Sequence, residues 1–415
     1  MTGSRMSALL AVAILAIGFA AVVPAARAVG APPAAPSPRY AMAMADDAAH
    51  SQVVLFGGNG PGGYLGDTWN WDGTRWTQQT PAHTPSPRYL SGTAYDAAHG
   101  QVVLFGGSGA SGDLNDTWTW NGTDWTQRTP AHAPSPRTGM GITYDSALGQ
   151  VVLFGGYSQS SGFLNDTWTW NGTDWTQRTP AHPSPRTAMG MAYDALHDQV
   201  VLFGGDRSSG YLGDTWTWDG ADWTERTAAH SPPKRGRLGM AFDAADGQVV
   251  LFGGFSQTSG DLADTWTWDG TDWTQRAPAH APWARISMGM AYDDVQGHVV
   301  LFGGGGLDYF GDTWTWDGTD WRIPYVAALV LTPSSGPAGT VVTVNGSGFG
   351  ALANVVLTFV DSTAGTTRLG TVRADGTGSI TTQVTIPVTA TAGTQHVTAR
   401  ARASGQSAKR TFTVT

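Results

Sequence analysis

The string Val-Val-Leu-Phe-Gly-Gly begins at Val53, Val102, Val151, Val200, Val249 and Val299, so one unit of about fifty residues is written six times. Self-similarity at such a period means stacked supersecondary units, each too small to bury both of its own faces. Four short strands can be read in each unit. The first follows a Pro-Arg step in most copies and alternates strictly, with Ala188, Gly190 and Ala192 on one face and Met189, Met191 and Tyr193 on the other. An Asp closes it in every unit (Asp47, Asp96, Asp145, Asp194, Asp243, Asp293). The second strand is Val-Val-Leu-Phe, and the third is Asp-Thr-Trp-x-Trp. An Asp-Gly or Asn-Gly pair such as Asp72-Gly73 or Asn121-Gly122 then turns tightly into a fourth strand at Trp76, Trp125, Trp175, Trp223, Trp273 and Trp321. Eighteen of the 19 Trp lie in these last two strands, and Trp283 alone stands outside. Eight of the ten Met lie on the large face of the first strands, where packing opposite Gly and Ala is their expected role.

Six four-stranded units arranged radially would bury one another's faces and leave only short edges. The Pro-Arg start, the paired Gly, the aromatic third strand and the fixed Trp closely resemble kelch repeats over residues 36–325. That resemblance implies an all-β fold, a six-bladed kelch-type β-propeller of the galactose oxidase-like class. From 329 to 415, Val and Thr alternate in runs broken by Ser334-Ser335-Gly336-Pro337 and Asp375-Gly376, which predicts an immunoglobulin-like β-sandwich. The opening Pro333, Gly336, Pro337, Gly339 and Gly346-Ser347-Gly348-Phe349 resembles an IPT/TIG domain.

Residues 1–28 carry Arg5, an apolar run from Ala8 to Val23 and Ala26-Arg27-Ala28, the pattern of a cleaved signal peptide. A secreted or extracellular monomer without a membrane span is therefore expected. Charge divides unevenly over the rest. Residues 327–415 hold six basic groups against Asp361 and Asp375, whereas residues 36–326 hold 15 basic and 30 acidic ones, a balance that repels nucleic acid. With no Cys, copper-radical chemistry built on a Cys-Tyr crosslink is ruled out, and neither a metal nor another cofactor is expected. Only one Glu is present, Glu225, so a paired-Glu glycosidase is excluded as well.

In kelch repeats the Arg heads the inner strand, which implies that Arg39, Arg88, Arg137, Arg186, Arg235 and Arg285 gather at one channel mouth, where guanidinium forks suit carboxylate or sulfate. They could instead bond neighbouring carbonyls or the Asp of an adjacent Asp-Thr-Trp. Departures from the repeat are more telling: Lys234 and Arg237 flank Arg235-Gly236, and Trp283 replaces the Ser of four other copies. The diverging loops after Gly-Gly add Tyr157 and Phe255. Aromatic faces beside cations suit sugars and anionic groups. Two functions follow: a secreted, non-enzymatic propeller that binds polysaccharide or an extracellular protein on the Arg-bearing face, or a carbohydrate-active enzyme resembling the kelch-type sugar-acid mutarotases.

Overall fold

The structure is a computed structural model that describes residues 35–180, 182–401 and 406–415. The expected signal segment lies outside them. Among the described residues no helix is long and apolar enough to cross a membrane.

Each repeat folds as one antiparallel meander. In the first, Ala43–Asp47, Gln52–Gly60, Gly63–Trp71 and Trp76–Gln79 pair in chain order. The four strands recur in all six repeats. Alternation decides the faces. Val54 and Phe56 of the first sheet pack with Leu104, Trp120 and Trp125 of the second, in one cluster that also takes in Ala43 and Ala45. The second Trp of each third strand meets the fourth-strand Trp of its own sheet, with ring centroids 5.4 Å apart for Trp120 and Trp125.

Two sets of hydrogen bonds join successive sheets, and both return to their starting point. The amide of Leu90 donates to Ala41 O, Gly139 to Leu90 O, Ala188 to Gly139 O, Arg237 to Ala188 O, Ser287 to Arg237 O, and Ala41 to Ser287 O, at 2.7–3.0 Å. All six residues have positive φ, between 51° and 61°, although five carry side chains. Further out, the fourth-strand indole donates to a Thr hydroxyl of the preceding sheet, as in Trp125 Nε1 to Thr68 Oγ1 and Trp175 Nε1 to Thr117 Oγ1. Trp76 closes this set on Thr313 of the sixth sheet. The first strands border an open pocket of about 150 Å³ whose lining includes the eight methionines. A Cβ on Gly141 would stand 2.8 Å from Met191 Sδ, so glycine is what lets adjoining strands approach.

Residues beyond 327 form two facing sheets. Three strands (Ala328–Thr332, Val341–Ser347, Ile380–Thr385) oppose a set built on Asn354–Asp361, Gly365–Arg373, Gly393–Ala401 and Ser407–Val414. Leu329, Val344 and Ile380 from one sheet and Leu357, Val397 and Phe412 from the other share one core.

Candidate functional site

The six repeated guanidiniums do not line a channel mouth. Each turns back into its own sheet and is at most 1% exposed. Arg39 donates to both carboxylate oxygens of Asp67 at 2.6 and 2.8 Å, to Gly57 O, to Ser37 O and to Ser37 Oγ. Trp69 adds its indole N–H to the same carboxylate. Burial pushes the Asp67 carboxyl up, but the Arg39 bonds and charge, aided by Trp69, outweigh it and hold the group below its usual range. Arg88–Asp116, Arg137–Asp166 and Arg186–Asp214 repeat this geometry. The physical reason is saturation: all five N–H groups of such an Arg are engaged before any ligand arrives.

In the last two copies the Ser is replaced by Pro233 and Trp283, so Arg235 and Arg285 lack the hydroxyl bond and keep their carboxylates, Asp264 and Asp312. Asp312 is 4% exposed because a turn between two C-terminal strands covers it: Ala351 donates its amide to Asp312 Oδ2, and Phe310 packs with Ala351 and Leu352.

The ring of positive-φ residues carries Ala41, Leu90, Gly139, Ala188, Arg237 and Ser287, so Arg237 is its one charged side chain. Arg237 donates to Asp206 Oδ2 at 3.2 Å and is 44% exposed. The other oxygen, Asp206 Oδ1, is buried without a hydrogen-bond partner. It lies where a Cβ on residue 236 would stand, 1.7 Å away, so the carboxylate fits only because Gly236 occupies a place held by Tyr40, Tyr89, Thr138, Thr187 or Ile286 elsewhere. Burial raises the Asp206 carboxyl above its ordinary range despite the opposing Arg237 charge.

Asp206 opens onto a cavity of about 650 Å³ between the loops of the third, fourth and fifth sheets, lined by Phe163, Arg207, Ser208, Tyr211, Phe255 and Gln257. The loops stand here because the second and third strands run on as a hairpin past the bulge at the paired glycines, as in Gln199–Arg207 with Gly210–Trp218. Tyr211 leans on Phe255 with centroids 5.5 Å apart, and Tyr157 meets Phe163 edge-on at 5.3 Å. Of the residues singled out by sequence, Phe255 lines this groove, Tyr157 supports it through Phe163, and Arg237 reaches it through Asp206. Neither Lys234 nor Trp283 lines it. Lys234 lies over Gly213, and Trp283 is 36% exposed. The orphaned carboxylate was legible only as two departures, Gly236 and Asp206, about thirty residues apart.

Among the described residues no cluster of His, Cys, Asp or Glu is placed to hold a metal ion. The recurring linker histidines point elsewhere: His83, His132, His230 and His280 each bond the Asp of the next sheet's hairpin, such as His83 Nδ1 with Asp124 Oδ2 at 2.8 Å. In the third linker, shorter by one residue, His182 meets Asn165 instead.

The strand order at the C-terminal end, two sheets over one core, is that of an immunoglobulin-like domain, and comparison with known families gives it a narrower description. Residues 325–414 match the macroglobulin-like domain family. The macroglobulin-like domain thus begins directly after the sixth repeat, and its Ala351–Leu352 turn is what covers Asp312. No curated protein matches the chain.

Proposed function

We propose that residues 36–325 are a six-bladed kelch-type propeller, that the chain is secreted through its N-terminal segment, and that it binds carbohydrate in the groove of the third to fifth sheets. Two hydrogen-bond cycles returning from the sixth sheet to the first support the propeller, and the IPT/TIG-like opening after Pro333 is compatible with the appended β domain. One observation carries the ligand class: Asp206, whose Oδ1 is buried without a hydrogen-bond partner, lines the groove together with Tyr211, Phe255 and Arg207. A sugar presents what this set lacks, hydroxyl donors for Asp206 and C–H faces for the rings. The regular repeat favours binding over turnover, since its strongest ion pairs serve the sheets themselves. A carbohydrate enzyme would draw on the same raised Asp206 carboxyl, and would reveal itself by product formation abolished in Asp206→Asn.

The test is a glycan array on the mature protein followed by titration of Tyr211→Ala/Phe255→Ala. Stacking is worth ~0.5–1.5 kcal/mol per ring, so the double variant should lose about tenfold or more in affinity and stay folded. Equal affinity in parent and variant would place the ligand elsewhere, and Trp283→Ala is the comparison that would then be read first.

A further inference from the structure

The outward face of the larger sheet in the macroglobulin-like domain concentrates cations. Cross-strand register puts Arg368 opposite Thr358, Thr358 opposite Thr398, and Thr398 opposite Lys409. Arg400 stands opposite Val356 and Ser407, and Arg373 opposite Asn354. Their neighbours along each strand, Leu357, Phe359, Val397, Ala399 and Ala408, are buried, so this row faces away from the core. Arg368, Arg373, Arg400 and Lys409 are all exposed, and His396 lies on the same face opposite Val360 and Thr411.

No acid shares this face. The domain's two carboxylates are engaged elsewhere: Asp361 accepts amides from Thr363, Ala364 and Thr391, and Asp375 caps its own turn at Thr377 and Ser379. Among the described residues the ion pairs all fall in the repeat region, between Arg39–Asp67 and Arg322–Asp317. Adjacent strands lie ~4.8 Å apart, so the strands that carry Arg368 and Lys409 are about 14 Å apart. The ground between them is hydroxyl-bearing: Thr358 and Thr398 bond each other, and Arg368 bonds Thr371. The face has no Trp, Tyr or Phe ring on which a nucleobase could stack.

We propose that this sheet face binds an acidic polysaccharide, with Arg368, Arg400 and Lys409 contacting carboxylates and the intervening threonines contacting sugar hydroxyls. It is separate from the groove of the repeats, so the two sites can fail independently.

The experiment uses the full chain and immobilised polygalacturonate, with neutral dextran and duplex DNA as parallel arms. Parent protein should bind polygalacturonate and be released by salt, because exposed charge pairs are screened over ~8–10 Å at ordinary ionic strength. Arg368→Gln/Arg400→Gln/Lys409→Gln should weaken binding about tenfold or more. The charge-preserving Arg368→Lys/Arg400→Lys should retain most of it, and Arg75→Gln, which removes an exposed cation outside both sites, should leave it unchanged. Unchanged binding by the triple variant overturns the proposal, as does equal retention on dextran or tighter binding to DNA. Low-salt self-association that the triple variant loses, without polygalacturonate binding by the parent, would make the occupant the acidic repeats of a second copy and overturn it equally.

Discussion

Arginine appears in this chain in two opposite settings, buried six times in the repeats and displayed on the outer sheet of the macroglobulin-like domain. In the first, the fork meets a carboxylate, carbonyls and in four copies a hydroxyl, all supplied by its own sheet. In the second, Arg368 and Arg400 face solvent with no carboxylate near. The contrast teaches that repetition marks a residue the unit needs for itself, whereas function is to be sought where the unit departs from its pattern or ends. Arg237 stands between the two settings, half exposed and bound to a carboxylate that still has a free oxygen.

The sharpest way to break this comparison is to remove one buried fork. Arg137→Met strands the Asp166 carboxylate and should cost about 3 kcal/mol in denaturant unfolding, whereas Arg368→Gln should not move the midpoint measurably. Equal effects would erase the distinction. Next in size is Gly236→Ala, which forces Asp206 from its seat; a loss of ~1–3 kcal/mol is expected, together with the groove's glycan binding. The matching change at Gly220, where nothing lies within 4 Å, should cost only its backbone strain at φ 94°.

A third test uses pH. Asp46 takes the place of Tyr95, Tyr144, Tyr193, Phe242 and Tyr292 in the other sheets, and burial, with Asp294, Asp293 and Asp47 nearby, pushes its carboxyl to about 8. Between 3.8 and about 8 the folded state holds a proton that the unfolded chain releases, so stability falls as pH rises through that window. Asp46→Asn should flatten this slope in melts at pH 5 and pH 8, with the larger gain at pH 8. An unchanged slope would move its origin to Asp243, also raised, to about 6, by burial and Asp246. The smallest effect should come from Ala188→Gly, which relieves a left-handed backbone at φ 54° and should be worth less than about 1 kcal/mol after the unfolded-state entropy of glycine is subtracted.

Much of the fold could be read from the chain because it is written six times: strand faces, hairpin turns and the pairing of Arg with the Asp of Asp-Thr-Trp all repeat in phase. The candidate site was less legible. Tyr157, Phe255 and Arg237 stood out as departures, but which loops converge depends on how far each hairpin runs past its paired glycines, and side-chain identity alone does not report that. Trp283, an equally conspicuous substitution, lies outside this groove; it is 36% exposed and its carbonyl accepts from Arg285. The covering of Asp312 by Ala351 had no sequence signal, since it depends on how the last domain is seated.

The indole-to-threonine bonds have a further consequence for how the chain comes together. Five of them span 56 to 58 residues, while Trp76 to Thr313 spans 237. By the logarithmic growth of loop entropy, the long one costs about 1.3 kcal/mol more to close than the others. Five links can form in succession as the polypeptide leaves the ribosome, each docking a new sheet on the last. The sixth must wait until nearly the whole repeat region exists, so a chain that stops short of the sixth sheet would hold two uncovered apolar faces, on its first sheet and its last, for as long as synthesis is stalled.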